Sequence, residues 1–135
     1  MLYRVIYAAE ALGATGTSVL SLAQILGVSE RNNARDEITS RMLIHAGQVL
    51  QAAEGQRGDL DRLQKRLMAD PRLGDLRILS DRPIISRSFT ETMGLRRLSR
   101  GVADAVLAGR PLWELSPSQA EALLDDSSQP LSAVA

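Results

Sequence analysis

Tyr7, Asn32, Asn33, Arg35 and Gln51 are the residues of this chain whose types and spacing invite chemistry. Tyr7 falls in the first strand-like run, Asn32-Asn33-Ala34-Arg35 closes an apolar helical pattern, and Gln51 sits in a later strand-like run. A phenol and a carboxamide both donate and accept hydrogen bonds. A helix end and two neighbouring strands that carry them can therefore converge on one planar heteroaromatic ligand. The pattern points to a cofactor site.

The elements that must position these groups alternate along the chain. Leu2 to Ala8 is rich in β-branched and aromatic residues, with Tyr3, Val5 and Tyr7 on one face, and predicts a strand. Gly13 to Gly16 breaks the pattern, and Ser18 caps a predicted helix whose apolar positions Val19, Leu22, Ala23, Ile25 and Leu26 run out near Arg31 to Asn33. Ile38 to His45 and Gln48 to Ala53 predict an antiparallel hairpin turned at Ala46-Gly47 and ended by Glu54-Gly55. Leu60, Leu63, Leu67 and Met68 make the apolar stripe of an amphipathic helix that stops near Asp70-Pro71. Two further strands are predicted, Leu76 to Leu79 and Ile84 to Met93, around a turn at Asp81-Arg82-Pro83.

This order, β-α-β-β-α-β-β, predicts an α+β fold of ferredoxin-like plan, a mixed sheet with two helices on one face. Helices over Gly101 to Leu107 and Pro117 to Leu124 are expected on the other face. Ser116 and Gln119 fit a capping box, Pro117 suits a first helical position, and Leu107, Trp113, Leu123 and Leu124 are the packing residues. Residues 1–95 then form the ligand-binding unit, 96–125 a helical cap, and 126–135 a flexible tail.

Composition narrows the function classes. With 135 residues, 16 basic and 16 acidic side chains and 44% hydrophobic residues, the chain fits one domain with no net field for nucleic acid or anionic membrane. The absence of cysteine excludes disulfides and thiolate chemistry. The N-terminal apolar run, interrupted by Arg4 and Glu10, is too short for a signal peptide or membrane span, so a cytoplasmic protein is expected. His45 is the only histidine and has no acid or serine partner in a recognisable pattern. Gly13-Ala14-Thr15-Gly16 lacks both the dinucleotide fingerprint and the Walker lysine, and the scattered acids give no metal site. An enzyme is not expected.

What remains is polar chemistry inside an apolar layer. If Val5 and Tyr7 point inward together with Val49, Gln51 and Ala53, a phenol and a carboxamide enter the core, where an unpaired polar group costs about 1–3 kcal/mol. They must bond to each other, to backbone, to water or to a ligand. A satisfied core pair, with Asn33 closing its helix in a left-handed conformation, stays open on these grounds.

Several segments together resemble the BLUF domain, the blue-light sensor using FAD. They are Leu2 to Tyr7, Ile25 to Arg35, Ile38-Thr39, Gln51 with Glu54-Gly55, Asp70-Pro71-Arg72, Pro83-Ile84, and Phe89 through Met93-Gly94. The resemblance covers about residues 2–95. It implies a flavin between the two helices with its ring against the sheet. Tyr7 is then the redox-active phenol, and Gln51 lies between phenol and flavin and exchanges its hydrogen bonds on illumination. Asn33 holds the pyrimidine edge of the ring and Asn32 borders it. Arg35 and Arg72 approach the ribityl or phosphate part, and Met93 on the last strand passes the change outward.

The chain departs from the family pattern in places. Phe89-Thr90-Glu91-Thr92-Met93 is one residue shorter than the usual run and lacks its tryptophan; Glu37-Ile38-Thr39-Ser40 stands for Gly-Ile-Thr-Gly; Arg41 replaces an apolar residue, and Ala52-Ala53 replaces larger ones. The reading is a stand-alone sensor that binds FAD noncovalently. With no effector domain following, it signals by protein–protein contact, in a homo-oligomer or to a separate downstream protein. A flavin-poor, light-independent interaction module is the second reading, and a flavin enzyme the weakest.

Overall fold

The computed structural model describes residues 1–12, 30–126 and 129–130. Most of the helix expected after Ser18 lies outside them. Its last turns are helical over residues 30–35 (α1). The strands are β1 (Leu2–Ala11), β2 (Thr39–His45), β3 (Gln48–Gln56), β4 (Leu73–Ile84), β5 (Gly94–Arg97) and β6 (Gln129–Pro130). The helices are α2 (Arg57–Ala69), α3 (Arg100–Leu107) and α4 (Pro117–Asp126), with a 3-10 turn at Leu112–Glu114. The sheet order is β4-β1-β3-β2-β5-β6; β2 and β5 run parallel and the other pairs antiparallel.

β1 is interior to the sheet, which is why its apolar residues are needed on both faces. Val5 and Tyr7 pack with Ile38, Ala53 and the α2 residues Leu60 and Leu63. Ile6 and Ala8, on the opposite face, pack with Leu43, Leu50 and Ala52 against Leu107, Leu112, Leu115, Leu123 and Leu124. The C-terminal helices thus cover the second face, as the sequence predicts. Ala52 and Ala53 consequently face different layers, so only Ala53 adjoins α2. Trp113 packs at the margin of the C-terminal layer beneath Arg77, 5.0 Å from its ring centroid.

Local chemistry sets the ends of these elements. Ala46 and Gly47 both have positive φ, 50° and 74°, which matches the strand twist of a two-residue hairpin. Ser116 and Gln119 form the expected capping box, with Gln119 N donating to Ser116 Oγ at 3.2 Å and Ser116 N to Gln119 Oε1 at 3.0 Å. Ser99 Oγ caps α3 by accepting from Val102 N at 3.3 Å.

Two expectations need correction. Asp81-Arg82-Pro83 is no turn: β4 runs through it to Ile84, with Pro83 opposite Tyr3. β4 is an edge strand, where a residue without an N–H is tolerated on the open side. The strand expected over Ile84 to Met93 is absent, and β5 begins only at Gly94. The buried Glu54 carboxylate takes the backbone N–H groups of Ser88 and Phe89, at 2.9 and 3.0 Å to Oε1, which draws these donors away from a ladder. In the tail, Gln129–Pro130 pairs with β5.

Candidate functional site

Strand register assembles the first part of the site. Tyr7 stands directly opposite Gln51 in the β1–β3 ladder, and Gln51 directly opposite Met42 in the β3–β2 ladder. Directly paired residues share a face with their Cβ atoms about 5 Å apart. The row Tyr7, Gln51, Met42 therefore crosses three strands on the α2 side. All three are buried. Tyr7 Oη and Gln51 Nε2 have no hydrogen-bond partner among the described residues. A satisfied phenol–carboxamide core pair is not what this geometry shows. Burial, and after it the negative charge of Asp81, pushes the Tyr7 phenol up from 10.0 to about 12, so it holds its proton throughout the neutral range.

Asn33 supplies the second part. It is helical, and the left-handed residue is Glu37 (φ 55°), three positions beyond Ala34, at a place where the resembled pattern carries glycine. Asn33 Nδ2 donates to Thr92 O at 2.7 Å and to Ser40 Oγ at 3.1 Å. Both amide hydrogens are thereby used, which leaves Oδ1 as the free end. Oδ1 is buried and has no partner among the described residues. Ser40, in place of the pattern's second glycine, also donates to Thr92 O at 2.9 Å and lies 3.5 Å from Met93 Sδ. Met93 packs with Met42, Val49 and Leu95, adjoining the same row, but it precedes β5 rather than lying within a strand.

A cleft of about 480 Å³ opens beside Asn33, lined by Asn32, Asn33, Leu63, Arg66, Leu67 and the Asp70-Pro71-Arg72 turn. Asn32, Asn33 and Arg72 are thus brought together as expected. Arg72 is held in a fork on Asp70, at 2.9 and 2.8 Å, and this pairing first of all holds the Asp70 carboxyl below its usual range. Arg35 is not brought in. Its side chain is 65% exposed and pairs with Asp36 at 3.1 Å outside the cleft lining. The helix ends there, and a residue two positions past Asn33 points to another side.

Arg66 is the cation that sequence reasoning missed. Its Nη1 donates to Asp36 Oδ2 at 3.0 Å, while its Nη2 is buried without a partner among the described residues. The available signal was position: Arg66 falls three residues after Leu63, on the same side of α2 as the apolar stripe. The Arg35 hydrogen bond first, and the Arg66 bond with it, hold Asp36 below its usual range against the upward push of burial, so it stays a carboxylate that orients Arg66.

The donor set describes the ligand it accepts. A phenol, a carboxamide N–H, a carboxamide oxygen and a guanidinium N–H are buried and unpaired among the described residues on one side of the sheet, next to a cleft with Leu63 and Leu67 on its wall. A flat heteroaromatic group with both donors and acceptors on its rim, carrying an anionic extension, satisfies all four. The residues present fit a flavin nucleotide. Among the described residues no group of three acidic or histidine side chains is placed to hold a metal ion. No helix among them is long and apolar enough to cross a membrane.

Comparison with known proteins agrees with this chemistry. A family model described as BLUF, sensors of blue-light using FAD, matches residues 2–94. No curated protein sequence matches. Among solved structures, a bacterial light-regulated adenylyl cyclase is 28% identical over 78% of this chain, with a TM-score of 0.71; this chain spans 32% of the cyclase. BlrB, a BLUF protein in its dark state, is 26% identical over 90% of this chain and 89% of its own (TM-score 0.74). The ground state of BlsA superimposes over 98% of this chain and 93% of its own with a TM-score of 0.86 at 18% identity, a likeness of fold. The match over residues 2–94, on the strands and helix ends that carry the unpaired groups, makes this chain a member of the BLUF family of flavin-binding blue-light sensors.

Proposed function

We propose that the chain binds FAD noncovalently and reports blue light by exchanging the hydrogen bonds of Tyr7 and Gln51, passing the change to another protein by contact. The observation that carries this reading is the set of buried atoms Tyr7 Oη, Gln51 Nε2 and Asn33 Oδ1 on the α2 side of the sheet, unpaired among the described residues. Bound flavin supplies the light-absorbing, electron-accepting ring.

The chain's own groups do the rest. Tyr7 is the proton-holding phenol, kept neutral by burial. Gln51 stands beside it with an acceptor and two donors on one small group, so a rotation or tautomer change swaps its partners while the strands stay in register. Asn33, oriented by Thr92 O and Ser40 Oγ, presents an acceptor and selects a ring edge bearing an N–H. Arg66 and Arg72 are the cations for the diphosphate of FAD, and Asn32 borders the ring. Met93, against Ser40, links the site to β5. The receiving protein is a second copy of the chain or a separate partner. A sensor that turns over no substrate is favoured because the carboxylates at and beside the cleft, Asp36 and Asp70, are committed to arginines.

The test is the visible spectrum of the purified protein before and after blue illumination. A yellow protein with a reversible red shift is expected. A colourless protein that refuses added FAD instead supports a light-independent interaction module, for which the missing tryptophan of the 89–93 segment is the sequence argument.

A further inference from the structure

Two departures from the family pattern, Arg41 and Glu91, meet in the structure. Arg41 Nη2 lies 3.6 Å from Glu91 Oε1, and Arg96 Nη2 grips the same oxygen at 2.6 Å. The carboxylate fits because residue 94 is glycine: a Cβ there would stand 3.1 Å from Glu91 Cδ. The backbone of the segment is pinned as well, with Ser40 N donating to Glu91 O at 3.0 Å and Thr92 O receiving Asn33 and Ser40. On its other side Arg41 stacks on the Phe89 ring, 4.8 Å from the centroid, and Nη1 donates to Leu124 O at 2.8 Å. Leu124 lies in the last turn of α4, where carbonyls lack helical partners and a cation is favoured.

We propose that Glu91 is a positioning residue that holds Thr92 O over Asn33 and Ser40, and that Arg41 couples its placement to the C-terminal end of α4. This rests on the photoreceptor reading and names the regulation of that site. The pair has a second arrangement within reach. Arg41 Nε is a buried donor and Glu91 Oε2 a buried acceptor, and neither has a partner among the described residues. A small rotation of either side chain converts the long single contact into a forked pair. Such a rotation changes both the grip on residues 91–93 and the cation at Leu124 O.

Glu91→Gln, Glu91→Asp and Arg41→Met test it in the full chain, with two readouts. Amide hydrogen exchange over residues 119–126 in the dark needs no flavin. It should rise about tenfold in Arg41→Met and several-fold in Glu91→Gln, with Glu91→Asp close to wild type. In flavin-loaded protein, the return of the absorption band to its dark position should quicken at least threefold in Glu91→Gln and recover in Glu91→Asp. Unchanged exchange in both charge-removing variants overturns the proposal. So does raised exchange with an unaltered return time, which makes the pair a structural tie only. A wild-type chain that takes up no flavin sinks the photoreceptor reading instead, and the exchange measurement still decides whether Arg41 ties Glu91 to α4.

Discussion

Tyr7→Phe is the sharpest perturbation, because the hydroxyl and the ring of Tyr7 have separate energetic roles. The ring packs among Val5, Ile38, Ala53, Leu60 and Leu63, and phenylalanine keeps those contacts. The hydroxyl is buried without a partner among the described residues. An unpaired buried polar group costs about 1–3 kcal/mol, so flavin-free Tyr7→Phe should be more stable than flavin-free wild type by about 1–2 kcal/mol. Flavin-loaded protein should show no such gain, since there the hydroxyl has a partner. The extra stability conferred by flavin therefore shrinks by about 1–2 kcal/mol, roughly a tenfold loss of affinity. The red shift disappears while the protein stays yellow.

Alkaline titration provides a second arm of the same test. The folded pKa of Tyr7 is raised, so the phenol makes no pH-dependent difference below pH 10.0, and stability falls as pH climbs from there through about 12 because the unfolded chain ionises first. A rise from 10.0 to about 12 corresponds to about 3 kcal/mol at most. Tyr7→Phe should flatten that alkaline loss. Urea unfolding of both proteins, with and without flavin, at pH 7.5 and 10.5 measures every quantity. A flavin-free variant destabilised by more than about 1 kcal/mol, as when a satisfied hydrogen bond is removed, with the light response intact, would refute the reasoning.

Other perturbations separate residues that the sequence alone groups together. Arg66→Ala should weaken flavin binding about tenfold, whereas Arg35→Ala should leave it within twofold; fluorescence titration with FAD checks both, and the reverse order would count against the cleft as the phosphate-binding end. Glu54→Gln should destabilise the fold by about 3 kcal/mol in a denaturant titration, because buried Arg4, 2.7 Å from Glu54 Oε2, is left with only its longer contacts to Glu121 at 3.6 Å and Asp125 at 3.9 Å; a cost under about 1 kcal/mol would show that the pair is dispensable. Asp36, Asp70 and Glu91 all have depressed folded pKa values. For Glu91, burial pushes upward, but its own backbone N–H and then Arg96 and Arg41 outweigh it. Their contribution is complete above the ordinary values of 3.8 and 4.5 and falls away as pH drops through the lower folded ones, so the urea midpoint should decline below about pH 4 and should not decline between pH 5 and 8.

Several features of the site were legible in the sequence because they follow from local period. Alternation in the first strand puts Val5 and Tyr7 on one face, and a two-residue hairpin fixes Gln51 against its neighbours, so their meeting follows once the strands pair. The capping box before α4 and the apolar stripe of α2 are local in the same sense. The resemblance carries Arg35 to the ligand beside Asn33, whereas the helix turns it about 200° from the cleft-lining Asn33 in two steps and onto Asp36.

What the sequence by itself determined was the identity of the polar groups, their faces and the α+β order, since side-chain type and the periods of helix and strand need no distant partner. The tertiary structure alone decided which of those groups stay unpaired. Tyr7, Gln51 and Asn33 lack partners among the described residues because their neighbours there are apolar or already committed, as Ser40 and Thr92 are to the Asn33 amide. The same holds for β4 running through Pro83, for Glu54 drawing residues 88 and 89 out of a strand, and for Arg41 meeting Glu91 across 50 residues of chain. Each is a contact between segments far apart in sequence, where strand pairing, for β4, or the burial and pairing of a charge, for Glu54 and Arg41, overrides local preference.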